Sequence, residues 1–342
     1  MSGIIRRLAV ATLALLPLAA QAQAQAQAQE QKPIDVIIAL PSPTLTFSAP
    51  FLAEDAGLYK AEGLNVSHRI LVGVEAVNAV IGGSADFTES TGPVFLRANA
   101  KGQALLAIAN LIDKPLAEMV LRKDVYDALG AKESMSLKER GALLKGKTIA
   151  IQGVGSIIHV WERVVVARGG LDPENDVRIA PMDPPAMLAA MQTKAVDGFA
   201  TSPPYTTEAV LNGSAVMYAS AAQGIAPDLI PFPYGLIMTK PETCQREPEK
   251  CKRVVHALAA ATKMIHDQPD KALEILSKRF KQMNPAVLAA AWKTVAQAHA
   301  TDLRVTASVL ATGDKVNVEA QLLKPEDQLK SYDGLFTDKF LN

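Results

Sequence analysis

Short apolar runs, each cut off by glycine or proline, alternate along the chain with longer stretches whose apolar positions recur at helical spacing. The short runs read as strands and the longer ones as helices. Asp35–Leu40 is a buried strand ended by Pro41 and Pro43; a helix follows from about Ala49, with Pro50 in its first turn and Gly57 closing it. Asn65–Leu71 is a second strand, Val74–Ile81 a short helix before Gly82 and Gly83, and Ala85–Thr88 a third strand. The loop Glu89–Pro93 leads to a helix ending at Ala100, and Leu105–Ile112 is again strand-like. A second unit repeats the order: strand Lys147–Gln152, a helix from Ser156 to about Arg168, strand Asp176–Ile179, helix Pro185–Thr193, strand Val196–Ala200, and a helix opened by Ser202–Tyr205. Beyond Tyr234–Thr239 the chain turns helical, with Pro248–His266, Pro269–Phe280 and Pro285–His299 each starting on a proline, the residue suited to an early helical position.

This alternation predicts an α/β protein with helices on both faces of its sheets. Residues 34–112 form one unit and 147–219 another. The strands Leu116–Arg122 and Tyr234–Lys240 flank the second unit and are expected to be two crossings between lobes, after which the last helices return to complete the first lobe. Two lobes joined twice leave a cleft, and ligands of α/β proteins sit in such clefts, at the carboxyl ends of strands.

The N-terminus adds a compartment. Arg6 and Arg7 precede the apolar stretch Leu8–Ala20, and Ala20-Gln21-Ala22 gives a small-x-small cleavage pattern. Residues 1–22 therefore read as a secretory signal peptide, too short for a membrane span, and polar residues 23–33 as a disordered leader. No cysteine lies near the cleavage point for a lipid anchor, and no later run is long and apolar enough to span a membrane. The expectation is a soluble periplasmic protein of about 320 residues, more than one core usually serves. Lys plus Arg and Asp plus Glu are equal at 35 each, which leaves no basic footprint for a nucleic-acid partner. Cys244 and Cys251 are the two cysteines. In an oxidising compartment they read as a disulfide, which requires Cys244 in the turn before Pro248; two buried free thiols are the other reading.

Ala49–Val66 (APFLAEDAGLYKAEGLNV) resembles a hallmark of the sulfonate, nitrate and thiamine-precursor group of periplasmic binding proteins serving ABC transporters. Gly82–Phe87 (GGSADF), Leu144–Ala150 (LKGKTIA), Gly153–Ser156 followed by His159, and Ala195–Phe199 (AVDGF) are similar to further elements of that group, in its order and spacing. The resemblance runs from about residue 36 to 210 and weakens toward 300. It implies a type II-like, two-lobed fold, each lobe a mixed sheet flanked by helices and the two joined by crossing strands. Residues 34–118 and 237–342 then form lobe 1, and 119–236 lobe 2. It implies a small-molecule ligand and a membrane permease as partner; a monomer without cofactor is expected, and no metal, because His68, His256, His266 and His299 are scattered singly without metal-ligand spacing. The Ala-Asp-Phe and Val-Asp-Gly-Phe elements read physically as turns whose acid caps backbone amides.

The pocket is expected at loops on strand ends: Thr44, Thr46 and Phe47; Glu89, Ser90 and Thr91; Gly153, Gly155, Ser156 and His159; Ser202 and Tyr205; and Tyr234. Amides at the Ser156 helix start favour a negatively charged head group, although Ser156 also reads as a plain helix cap. Phe47, Tyr205 and Tyr234 offer stacking faces, or ordinary core packing. These loops carry Glu89 and neither Lys nor Arg, which argues for a small organic ligand over an inorganic anion such as nitrate, with Glu89 accepting a hydrogen bond from it. An enzyme reading has little to rest on. A Ser156–His159 pair lacks an orienting acid, and the pyrimidine synthase among the thiamine-precursor relatives has a cysteine-rich motif, whereas no cysteine here precedes residue 244. A sensory protein presenting its ligand to a membrane receptor is the other binding-protein reading.

Overall fold

A computed structural model of the chain describes residues 32–341. The expected signal peptide, and all of the leader but Lys32 and Pro33, lie outside the described residues. Among the described residues ten strands form two five-stranded sheets. The first sheet holds β1 (Ile34–Leu40), β2 (Leu64–Ile70), β3 (Phe87–Ser90), β4 (Leu106–Asn110) and β10 (Leu236–Thr239), in the order β2-β1-β3-β10-β4. The second holds β5 (Glu118–Arg122), β6 (Thr148–Ile151), β7 (Arg178–Pro181), β8 (Gly198–Thr201) and β9 (Ala215–Ser220), in the order β7-β6-β8-β5-β9.

The two orders are the same pattern. In each, parallel strands carry one antiparallel strand that arrives from the other lobe: β10 against β3 and β4, and β5 against β8 and β9. Each expected crossing thus ends in a strand of the predicted region, while the passages themselves, residues 111–117 and 221–235, are irregular apart from one 3-10 turn. Position in the sheet explains the composition of the strands. Central β1 is apolar and buried over Ile38–Leu40, whereas edge strand β2 alternates exposed and covered side chains.

Helices cover both sheets. The first lobe carries α1 (Ser48–Asp55), α2 (Leu58–Ala61), α3 (Glu75–Ile81) and α4 (Gly92–Ala100). The second carries α5 (Lys123–Ala128), α6 (Leu137–Ala142), α7 (Ile157–Arg168), α8 (Pro184–Gln192) and α9 (Tyr205–Leu211). The C-terminal part supplies α10 (Pro241–Arg246), α11 (Pro248–Asp267), α12 (Pro269–Ser277), α13 (Pro285–Ala298) and α14 (Ala307–Glu319). No helix among the described residues is long and apolar enough to cross a membrane. One buried cluster runs through both lobes, from Ile38 and Leu52 through Leu116, Phe232 and Tyr234 to Ile149 and Val164, so the crossings are packed segments.

The structure departs from the sequence reading at several strands: β3 runs two residues further and takes Glu89 and Ser90 out of the expected loop, and β8 starts two residues later. The strand expected at Asp176–Ile179 starts two residues later, because Asp176 belongs to a turn: its amide donates to the Asp172 carbonyl at 2.8 Å and its carboxylate accepts from the Asp172 amide at 2.9 Å. Cys244 lies in the short helix α10 instead of a turn; the break at Glu247 before α11 sets its Cα 5.6 Å from that of Cys251, and the two sulfurs are bonded.

The acids of the two Asp-Phe elements act alike. Asp86 Oδ2 accepts the Ile37 amide at 2.8 Å and Asp197 Oδ2 accepts the Thr148 amide at 2.8 Å, while Phe87 and Phe199 are fully buried behind them. Asp197 ties the start of β8 to the start of β6, and Asp86 ties the start of β3 to the middle of β1, so neither carboxylate is at the strand ends that carry the loops described next.

Candidate functional site

The carboxyl ends of the parallel strands of both lobes meet across a cleft. It opens to solvent and, open solvent included, holds about 490 Å³ free of protein atoms, of which about 40 Å³ is cavity volume proper. Lobe 1 supplies Pro41, Ser42, Thr44, Thr46 and Phe47 after β1, Gly73 after β2, and Ser90, Thr91 and Val94 at the end of β3 and the start of α4. Gln152, Ser156 and Ile157 after β6, and Ser202 after β8, form the facing wall, with Tyr234 from the second crossing. The lining contains no Asp, Glu, Lys, Arg or His. It is built from hydroxyls, one amide and apolar faces.

Two hydroxyls stand out. Thr46 and Thr91 are each 5% exposed, and neither Oγ1 has a hydrogen-bond partner in the protein. Thr91 occupies the N-cap position of α4, yet its side chain makes no cap bond. Other lining hydroxyls are paired: Ser42 with Thr44 at 3.1 Å, and Ser202 with the Tyr234 phenol at 3.1 Å. Ser156 is engaged twice within its own loop. Its Oγ accepts the His159 amide at 3.3 Å and its hydroxyl donates to the Gly153 carbonyl at 2.7 Å. It is therefore a true helix cap that also borders the cleft, beside first-turn amides that α7 itself cannot satisfy.

Of the residues expected at the pocket, Thr44, Thr46, Phe47, Ser90, Thr91, Ser156, Ser202 and Tyr234 line this cleft. Glu89, Gly153, Gly155, His159 and Tyr205 do not, each for a stated reason. Glu89 lies on β3 opposite Ile237, and side chains of a strand alternate between faces, so it points into the lobe 1 core while Ser90 reaches the cleft. It is 1% exposed, neither carboxyl oxygen has a protein partner, and burial pushes its pKa well above the usual range. The sequence argument that a pocket carboxylate excludes an inorganic anion therefore loses its residue. His159 is turned back into its own loop, where Nδ1 accepts the Gly155 amide at 3.0 Å. Burial, with Arg163 and Arg97 adding to it, holds its pKa at about 4, so the ring is neutral and able to accept. Gly155 has φ +78°, the left-handed region that glycine tolerates, and faces Val74. Gly153 has open space around it. Tyr205 starts α9 and packs against the outer lobe 2 cluster.

Sequence reasoning missed Pro41, Ser42, Gly73, Val94 and Ile157, and named Gln152 only as the start of a loop. It also missed two charged residues one layer behind the lining. Glu118, fully buried under Tyr234 and Ser202, accepts hydrogen bonds from Thr206 and from Ser220, the latter at 2.9 Å, and burial raises its pKa. Arg97, three residues beyond Val94 on α4, donates to the Gly155 carbonyl of lobe 2 and to Asn317 of α14. An arginine directly after the apolar run Val94–Leu96 is the one signal that could have marked it.

A family model described as NMT1-like matches residues 35–279. The nitrate/nitrite binding protein NrtA of Synechococcus elongatus is 32% identical over 117 residues, which is 34% of this chain and 24% of that protein; the chain thus spans about a quarter of that relative's length. A solved protein of Bordetella bronchiseptica RB50 superposes with a TM-score of 0.76 at 22% identity, covering 91% of this chain and 96% of that one. The alkanesulfonate-binding protein SsuA of Xanthomonas axonopodis pv. citri, bound to MOPS, superposes with a TM-score of 0.68 at 21% identity, covering 87% and 96%. At these identities the structural likenesses establish the fold.

Proposed function

Because the chain belongs to the NMT1-like family, we propose that it is an exported, periplasmic solute-binding protein that captures a small organic ligand and delivers it, chemically unaltered, to the permease of an ABC transporter. The ligand is a sulfonate, a carboxylate or a heterocycle. It lies between lobe 1 (residues 34–118 and 237–342) and lobe 2 (119–236), which close on it as hinged bodies, and the protein works as a monomer. The observation that carries this reading is the pair of buried, unpartnered hydroxyls, Thr46 and Thr91, in a cleft walled by both lobes. A buried hydroxyl left unpaired costs about 1–3 kcal/mol, and a ligand atom that accepts from it removes that cost.

The lining favours an organic body with a polar head. Phe47, Val94, Ile157 and Tyr234 offer apolar surface, while the hydroxyls and the α7 amides are donors suited to an oxyanion. A thermal-shift panel of sulfonates, carboxylates, heterocycles and nitrate, followed by calorimetry and by mass spectrometry of the compound that co-purifies, tests this. Stabilisation by one organic class is expected. Stabilisation by nitrate alone, or turnover of the bound compound into a product, would overturn it.

A further inference from the structure

Arg97 is 9% exposed and forms no ion pair among the described residues. Burial lowers its pKa to about 10, so it keeps its charge at neutral pH. A desolvated charge with only neutral acceptors is costly to hold, which calls for an account of what it does. Its guanidinium is aimed by Asn317, and the aim is fixed. Asn317 Nδ2 donates to the Pro93 carbonyl at 2.9 Å, which turns Oδ1 toward Arg97. The remaining arm of the guanidinium crosses the cleft to the Gly155 carbonyl.

Gly155 is therefore held from both sides. Its carbonyl is bonded to lobe 1, and its amide to His159 of lobe 2. Its loop also meets lobe 1 at the mouth: a methyl added at Gly155 would lie 3.5 Å from Val74, and one added at Gly73 would lie 3.7 Å from Ser156. The other end of α7 sits beside the second crossing, here taken as the pivot, where Arg168 pairs with Asp228 at 2.8 Å and with Glu319 of α14 at 2.6 Å. At about 1.5 Å per residue, twelve-residue α7 is a lever of roughly 18 Å. A rotation at the pivot moves Arg168 little and carries Gly155 away from Arg97.

We infer that Arg97, aimed by Asn317, is a positioning residue that latches the Gly155–Ser156 loop onto lobe 1 when the cleft closes, and so sets how long an acidic ligand at the start of α7 stays bound. The inference rests on the proposed function and adds to it. The latch forms after the ligand has entered, so it acts on escape and leaves entry alone. The charge one layer behind the lining also favours a negative head without touching it.

Stopped-flow binding of 1-butanesulfonate and of butyrate to wild type, Arg97→Met and Asn317→Leu is the test, with circular dichroism and melting curves confirming that each variant is folded. Arg97→Met should raise the dissociation rate about 10–100-fold, as expected for loss of a charge-assisted hydrogen bond, and leave the association rate within about threefold. Asn317→Leu, which keeps the charge but loosens its aim, should show the same split to a smaller degree. Unchanged dissociation in both folded variants, or a loss confined to the association rate, overturns the latch while the binding function stands. A wild type that binds neither probe sinks the acidic-ligand reading itself, and the latch with it.

Discussion

Replacing Thr46 and Thr91 by valine should stabilise the protein and weaken its ligand affinity at the same time. Valine keeps the branched shape and swaps a hydroxyl for a methyl. Both residues are 5% exposed and both hydroxyls lack a protein partner, so each substitution removes a desolvation cost of about 1–3 kcal/mol. For about 310 ordered residues, an unfolding entropy near 2.1 cal/mol/K per residue makes 1 kcal/mol worth about 1.5 °C in Tm. The double variant should then melt roughly 3–9 °C higher than wild type without ligand. With ligand the sign reverses: a hydroxyl bonded to an ionised head contributes about 1.5–3 kcal/mol, so each loss weakens Kd by about 10–150-fold. Differential scanning calorimetry without ligand and titration calorimetry with the compound selected in the thermal-shift panel read the two effects separately. A lower Tm together with unchanged affinity would show that the hydroxyls serve the fold, and would remove them from the site.

Three further outcomes follow from the same physics. Glu89→Gln should leave ligand affinity within about twofold, because Glu89 faces the lobe 1 core; a tenfold loss in calorimetry would return it to the site. Glu162 on α7 is fully buried, its carboxyl oxygens lack protein partners, and burial raises its pKa from 4.5 to about 8. The folded protein thus keeps a proton that the unfolded chain releases, so this group's contribution is full below pH 4.5 and falls by about 1.4 kcal/mol per unit as pH climbs toward 8; Glu162→Gln should gain Tm over wild type between pH 5 and 8, and a pH-independent difference refutes the shift. Reducing Cys244–Cys251, which closes a loop across a separation of seven residues, should cost about 2–3 kcal/mol in the chain-entropy picture, seen as a drop in Tm with dithiothreitol that is absent from a Cys244→Ala/Cys251→Ala variant.

Strands with strong local signals were legible. Asp35–Leu40 and Lys147–Gln152 announce themselves through apolar runs bounded by turn residues, the two Asp-Phe elements through their motif, and the loops at their ends could be named from the sequence. Which face a residue takes was harder to see. Glu89 sits one position from Ser90, and only the strand's two-residue period and its pairing with β10 decide that one enters the core and the other the cleft. Helix α14 went unnamed; it contains Gly313, a poor helix former that the fold needs small, since a Cβ there would lie 3.1 Å from Pro233 and 3.2 Å from Leu96. Arg97 escaped for a related reason. Its partners, Asn317 and Gly155, are distant in sequence, and no local pattern encodes their meeting.

The arrangement of charge explains how such a cleft can hold a polar solute and still let it go. Charged side chains are kept off the lining and set one layer back, Arg97 behind the α7 loop and Glu118 beneath Ser202 and Tyr234. The solute therefore meets hydroxyls and helix amides whose orientation the fold has already fixed, and few groups have to reorganise around it. A lysine or arginine in direct contact would bind an acidic head more tightly, but releasing that head would leave its charge unpaired. Placing the cation on one lobe and its carbonyl acceptor on the other makes the strength of the grip depend on closure. If the lobes open as proposed, the Gly155 carbonyl would leave Arg97, the loop bordering the cleft would lose its outer support, and the same motion that opens the exit would weaken the hold. On the proposed reading, capture and release would then need only the hinge.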